Sequence, residues 1–228
     1  MVDEEFDVHE HARQATLNAF KYRRATKKFD PDRIISKTDF DTILEAAQLT
    51  PTSNGLEPFN LLVLQSPGLR AKLVAEAGGG PQWVDASHVI VITTKQGSEL
   101  RKGSAFLRHM KLDVQGFAEK DFPKWEKNFQ GFLKDKLGIT DDVLLGEWAK
   151  RQAYIVLGNM MTAAALIGID SCALEGFNYA EATYVLTEAG VLNPDTDAIA
   201  VAVAFGFRYE EPSRARTRRP LDEIVKYA

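Results

Sequence analysis

The chain has 228 residues, of which 45% are hydrophobic and 26% charged, with a formal net charge of -4 and an isoelectric point near 5.7. That is the balance of a globular protein with apolar material for a sizeable core, and no apolar run approaches the length of a membrane span. The acidic, polar start MVDEEFDVHEHARQ reads as neither a secretory signal nor a transit peptide, so the cytoplasm is the expected compartment. Cys172 is the only cysteine, which rules out an intrachain disulfide. His9, His11, His88 and His109 lack metal-ligand spacing, so no metal site is expected.

Residues 9–24 are predicted helical, with Ala12, Ala15, Ala19 and Phe20 on one face. Ser36 is a good N-cap for a helix carrying Phe40, Ile43, Leu44 and Ala47, which Pro51 ends. TPTSNGLEPF is a loop rich in turn formers. FNLLVLQ, 59–65, reads as a strand buried on both faces. Ser66-Pro67 opens a helix that stops before Gly78-Gly79-Gly80. HVIVITT, 88–94, is a second buried strand. Residues 98 to about 137 are expected to be mostly helical, broken near Phe122-Pro123, with spaced aromatics at Phe106, Phe117, Phe122, Trp125, Phe129 and Phe132. Thr140 is the expected cap of a long apolar helix ending at Gly168. A short strand, IDSCALEGF, a helix ending at Gly190, and a third buried strand, AIAVAVAFGF, follow. Mixed helices and strands without a linker predict one domain over 1–228, α+β or α/β, with helices around a central sheet. In the tail, IVKY has strand propensity and could pair with another sheet, such as a partner's.

Positive charge is concentrated in two places despite the acidic balance. YRRATKKFD carries Arg23, Arg24, Lys27 and Lys28, and RARTRRP carries Arg214, Arg216, Arg218 and Arg219. Each tract could be a solvated surface, but together they could surround one anion, since guanidinium matches phosphate as a bidentate fork. Nucleic acid is disfavoured by the net charge and by the lack of aromatic-basic alternation. AGGGP follows a helix and precedes a strand, which is not the order of a dinucleotide-binding loop. Ser53, Ser87 and Ser104 lack a nucleophile elbow, and Cys172 beside Ala173 and Leu174 reads as a packed thiol. No catalytic side chain is nominated; such a chain often leaves its chemistry to a cofactor. Glu175-Gly176, taken alone, is an ordinary turn after a strand, or a place where backbone approaches a ligand.

In order, RRATKKFD, TPTSNGLEPFNLLVL, VDASHVIVI, WAKRQAYIVLGNMMTAAALIGIDSCALEGF, AFGFR and RTRRP resemble the FMN-dependent nitroreductase family, in particular the oxygen-insensitive NAD(P)H nitroreductases. The resemblance implies an α+β fold with a central, mostly antiparallel sheet flanked by helices. It also implies an intertwined homodimer that exchanges its tails, about 220–228. The implied cofactor is FMN, with NADH or NADPH as co-substrate. Arg23, Arg216 and Arg218 would hold the phosphate, and Arg24, Ala25 and Lys27 would line the edge of the flavin ring. Gln82 would donate to the flavin. Leu174, Glu175 and Gly176 would cover one flavin face, with a backbone N–H near Glu175 directed at N5. Pro51, Thr52, Ser53 and Asn54 would reach the flavin of the partner. Phe129 and Phe132 are nominated as the substrate roof, against core packing of the excursion as the other reading. Hydride would pass from nicotinamide to flavin N5 and on to an electron-poor acceptor such as a nitroaromatic or quinone. Reduction of an activated C=C bond, dehalogenation, or FMN storage without turnover are alternatives.

The chain departs from the family pattern, Pro-Ser-x-x-Asn-x-Gln-Pro-Trp, at Gly55, Glu57 and Phe59, which stand where the pattern has asparagine, glutamine and tryptophan. Gly79 and Gln82 replace an asparagine and a lysine. These changes bear on the substrate side more than on FMN.

Overall fold

A computed structural model describes residues 8–228. In chain order the elements are α1 (Val8–Tyr22), α2 (Lys37–Gln48), β1 (Phe59–Val63), α3 (Pro67–Ala77), α4 (Gln82–Asp85) and β2 (His88–Lys95). They continue with α5 (Ala105–His109), α6 (Phe122–Gly131), α7 (Asp142–Leu166), β3 (Asp170–Leu174), α8 (Tyr179–Glu188) and β4 (Asp197–Gly206). The strands form one antiparallel sheet in the order β1-β2-β4-β3.

Alternation in the central strands divides the core into two layers. Val89 and Val91 of β2 and Ala202 and Ala204 of β4 face α3 and α8, meeting Leu73, Ala182, Val185 and Leu186. Ile90, Ile92, Val201, Val203 and Phe205 face α2 and α7, meeting Phe40, Ile43, Val156 and Met160. A register shift between Ile92 and Thr93 puts an extra β4 residue at Ala200, so the neighbours Ala200 and Val201 fall into the same layer and the alternation resumes at Ile199. A third core, built from Leu56, Leu107, Phe122, Phe129, Leu133 and Trp148, packs the excursion after β2 onto the start of α7.

Several local expectations hold for their stated reasons. Ser36 Oγ accepts from Asp39 N, Ser66 Oγ accepts from Leu69 N behind Pro67, and Gly78 closes α3 with φ 73°. Arg70 is buried, donating to the carbonyls of Leu64 (2.7 Å), Ala86 (2.8 Å) and Ser87 (3.2 Å), which fastens α3 to the ends of β1 and β2.

Other expectations need correcting. β1 is an edge strand and only half-buried, because its outer side has no neighbour among the described residues. Asp141, not Thr140, caps α7: its carboxylate accepts from Leu144 N. The break in the excursion falls at 115–121, and Pro123 lies in the first turn of α6, where its missing N–H has no cost. Both α5 and α6 run out through π-turns, Met110–Val114 and Phe132–Lys136. Within this chain IVKY forms no strand: after the short 3-10 turn Leu221–Glu223 the tail is irregular and mostly exposed, and it pairs with neither edge of the sheet among the described residues. On α1 only Ala19 of the expected face is buried, while Ala12, Ala15 and Phe20 are exposed.

Candidate functional site

The site is organised around a buried carboxylate. Asp170 opens β3 and is 1% exposed. It accepts from Arg208 N (3.0 Å), Arg208 Nη2 (2.7 Å), Arg208 Nε (3.0 Å), Tyr22 Oη (3.1 Å) and Thr26 Oγ1 (3.4 Å). These bonds draw together the end of α1, the first basic tract and the segment after β4. The tract is tied along its length: Thr26 N donates to Ser171 O (3.2 Å), Asp30 N to Phe207 O (2.8 Å), and Tyr209 N to Lys28 O (3.0 Å). Thr26 therefore points inward while its neighbour Lys27 remains exposed, with Nζ 4.0 Å from Cys172 Sγ. Burial pushes the Cys172 thiol up in pKa, and nearby Lys27 pulls it partly back, so the sulfur stays a protonated core atom.

The C-terminal tract folds back onto the first. Arg216 donates to the carbonyls of Phe20, Lys21 (2.8 Å) and Arg23 (2.5 Å), placing a cation on the C-terminal end of α1, where the helix dipole favours it. Arg24 Nη1 donates to Arg214 O at 3.1 Å. Between them lies a cleft of about 700 Å³ lined by Arg24, Ala25, Lys27, Arg208, Arg214, Arg216 and Arg218, with the carboxylates of Glu210 and Glu211 also in its wall. Desolvation, followed by Arg24, Arg218 and Arg23, pushes the Arg216 guanidinium down from its ordinary value. Among the described residues none of Arg23, Arg24, Lys27, Arg216 or Arg218 has a carboxylate within ion-pair distance. Arg23 stands just outside the lining; its Nη2 reaches Met161 Sδ at 3.4 Å, and its Nε is buried without a hydrogen-bond partner. Self-repelling cations with an orphaned donor are what an anion would satisfy.

At the other end of β3 the turn Glu175–Phe177 closes with Phe177 N donating to Glu175 O at 2.9 Å. Tyr154 Oη of α7 donates to the Glu175 carboxylate, and its own ionisation is pushed up by burial and by that bond. A Cβ built on Gly176 meets nothing within 4 Å, so no packing among the described residues demands glycine there. The missing side chain leaves room for something from outside. Gln82 sits buried on α4, next to Trp83, whose ring lies 5.2 Å edge-on from Phe177 of that turn. Trp83 also accounts for Gly79: a Cβ there would lie 2.5 Å from Trp83 Cδ1, so no asparagine fits.

Arg24, Ala25, Lys27, Arg216 and Arg218 thus share one cleft, and the bridge Ala25–Ser171 places the first tract against β3, which runs on to Leu174, Glu175 and Gly176. Pro51, Thr52, Ser53 and Asn54 do not line it: Ser53 N is held by Gln152 Oε1 of α7 at 2.9 Å. Phe129, nominated as a substrate contact, is instead 2% exposed in the third core, stacked on Trp125 at 5.3 Å and packed on Trp148 at 5.9 Å. A ring enclosed by aromatic neighbours serves that core. Phe132 is half-buried at the rim. The sequence reading missed Asp170, Tyr22, Arg208 and Tyr154. The signals were an aspartate directly after the glycine-stopped α7 and an arginine at the end of an apolar strand, both placed where a buried charge needs a partner.

A sequence model of the nitroreductase family matches residues 20–207. A Staphylococcus aureus (strain USA300) protein with the provisional name NAD(P)H nitroreductase is 39% identical over 215 residues, which is 94% of this chain and 96% of that one. Among solved structures, the FMN complex of a provisionally named nitroreductase from Exiguobacterium sibiricum superposes with a TM-score of 0.71 at 19% identity, covering 93% of this chain and 97% of that one. CLA-ER, an enone reductase of gut-bacterial fatty acid saturation, superposes at 0.73 and 18% identity, with the same coverage of each chain. The fold agrees with these structures, and on the match of sequence over most of its length the chain belongs to the nitroreductase family.

Proposed function

We propose that this oxidoreductase binds FMN in the cleft between the basic tracts and uses NADH or NADPH to reduce an electron-poor acceptor, such as a nitroaromatic or a quinone. The observation that carries the reading is the convergence of Arg24, Lys27, Arg216 and Arg218 on one cleft, where among the described residues none of them is ion-paired although Glu210 and Glu211 also line it, beside the orphaned Nε of Arg23. A phosphate in the cleft would neutralise its cations. Bound FMN supplies reversible two-electron redox chemistry, which the chain's own side chains lack.

The residues then divide their work. Arg218 has one side-chain bond, to its neighbour's carbonyl (Thr217 O, 2.7 Å), and is free to turn to the phosphate. Arg216 is occupied by the backbone of α1, so its role is to hold the tracts together and add charge. Lys27, close to β3, stands where a cation favours an anionic reduced ring by direct attraction. Leu174, Glu175 and Gly176 present strand-end backbone to the ring, with the Glu175 carboxylate held aside by Tyr154. Gln82 offers an uncharged donor in place of lysine.

The cleft is open on one side, and the Pro51–Asn54 loop does not reach it. In this reading the loop closes the cleft of a second copy, and the tail wraps that copy. Leu221, Ile224 and Tyr227 are 73%, 55% and 97% exposed, apolar side chains left uncovered among the described residues. Nicotinamide as reductant places the enzyme in the cytoplasm, and among the described residues no helix is long and apolar enough to cross a membrane.

Purified protein is expected to release FMN on heating, about one copy per chain as one cofactor pocket requires. Anaerobic NADH or NADPH should bleach it, and nitroaromatic, quinone and enone acceptors tested in turn should restore the colour at different rates. Recovery of FAD, or no flavin after addition of FMN, would defeat the reading. A yellow protein that neither nicotinamide bleaches would instead be a flavin store.

A further inference from the structure

The excursion after β2 does more than cover the start of α7. Lys111, in the π-turn that ends α5, is only 4% exposed. Its Nζ lies 4.4 Å over the Trp125 ring and 5.0 Å from that of Phe117. It donates to Asn54 O at 2.9 Å and to Gln115 Oε1, and Gln115 Nε2 in turn donates to Gly55 O. The carbonyls gripped this way belong to unusual backbone. Asn54, Gly55 and Glu57 have φ of 58°, 59° and 44°, and two of them are not glycine. Left-handed backbone of this kind persists only where its surroundings over-determine it. On the other side Ser53 N is fixed by Gln152 Oε1. A Cβ at Gly55 would lie 3.1 Å from Gln115 Nε2. The glycine that replaces the family's asparagine is thus the counterpart of Gln115, which brings its own amide to that place.

We propose that Lys111 and Gln115 are positioning residues that clamp the Thr52–Glu57 loop in its left-handed form for cofactor binding, making the aromatic excursion and the loop one mechanical unit. The role in binding rests on the reading of Pro51–Asn54 as a cofactor loop; the clamp itself does not. In that unit a shift of the excursion, which also carries half-buried Phe132, is transmitted to the loop through the carbonyls of residues 54 and 55.

The test uses the full-length protein and the variants Lys111→Met, Gln115→Ala, Gly55→Asn and the double variant Gly55→Asn/Gln115→Ala. Methionine keeps the apolar stem against Trp125 and removes the donor; Gln115 is half-buried, so its variant serves if Lys111→Met fails to fold. The first readout is hydrogen exchange, without flavin, at the amides of Ser53, Gly55, Leu56 and Glu57, which bond within the loop or to Gln152. The second is FMN affinity by fluorescence titration. Lys111→Met should speed loop exchange by about tenfold or more without changing exchange in β2 and β4, and should weaken FMN binding by about tenfold. Gly55→Asn should also weaken binding, and removing Gln115 as well should restore most of it. Unchanged loop exchange overturns the clamp. Faster exchange with wild-type FMN affinity, or a double variant no better than Gly55→Asn, overturns its role in cofactor binding. If the unmodified protein binds no FMN, the proposed function fails, while the exchange data still decide on the clamp.

Discussion

Replacing Asp170 by alanine tests whether the site is built on the buried carboxylate. The side chain is 1% exposed and accepts from Arg208, Tyr22 and Thr26. Removing it leaves a guanidinium with little access to water and no buried counter-charge. Breaking a buried pair in this way costs about 3–5 kcal/mol. Arg208 is 16% exposed at its side chain and keeps Glu211 at 3.1 Å, which places the cost near the lower end, about 3 kcal/mol. For a chain of this size that corresponds to a fall in melting temperature of about 6–12 °C. The assay is thermal unfolding by circular dichroism on flavin-free protein, at one fixed concentration because assembly shifts the midpoint. FMN affinity should fall as well, since Thr26 and Tyr22 lose the anchor that shapes the first tract. A variant melting within about 2 °C of the parent would refute the argument that this pair is a structural keystone.

Arg218→Ala should weaken FMN binding by about 1.5–3 kcal/mol, the worth of a hydrogen bond to a charged group, while the FMN-saturated variant keeps its flavin midpoint potential. Lys27→Ala should lower that potential, and Lys27→Arg should retain part of it; the reverse pattern would mean the two roles are exchanged. Deleting residues 221–228 should weaken both dimerisation and flavin retention, read by sedimentation and by colour, and a truncated protein that stays dimeric and yellow contradicts the tail exchange. Burial first, then Arg70, hold His88 below its ordinary value of 6.5. Below that pH the unfolded chain binds a proton that the folded chain resists, so stability falls with pH until the lowered folded value is reached. Melting temperatures should therefore drop more steeply between about pH 7 and 5.5 for the parent than for His88→Phe. Equal slopes would remove His88 as the cause.

The fold was legible where one physical rule decides locally. Ser66-Pro67 and Gly78 bracket α3 because a side-chain acceptor, a missing N–H and a left-handed glycine each have one good place on a helix. β2 and β4 were legible because a strand flanked on both sides and covered on both faces must be apolar throughout. β1 has an equally apolar sequence but lies at the edge, and no pattern within FNLLVLQ reports whether a neighbour exists. The same gap explains IVKY. Its strand propensity is local, whereas a strand also needs a partner to pair with, and the tail meets neither edge of this sheet. Thr140 and Asp141 are both competent caps, and only the position of the first turn chooses between them.

The site shows a sharper version of that limit. Charge drew attention to Arg24, Lys27, Arg216 and Arg218 because several cations close together are costly without an anion, and they do share a cleft. The residues that place them, Asp170 and Tyr22, carry no such signature, since their importance comes from contacts between segments far apart in sequence. Arg216 was expected at the phosphate, yet its guanidinium caps the end of α1. A sequence shows a charge but not whether backbone carbonyls have already claimed it. Gly55 and Gly79 are the reverse case. Each reads as the loss of a family side chain, and in each the vacated space is approached by another residue: Trp83 leaves no room for a side chain at Gly79, and Gln115 sits tight against Gly55. A departure from a family pattern is therefore a statement about two positions, and only the fold identifies the second.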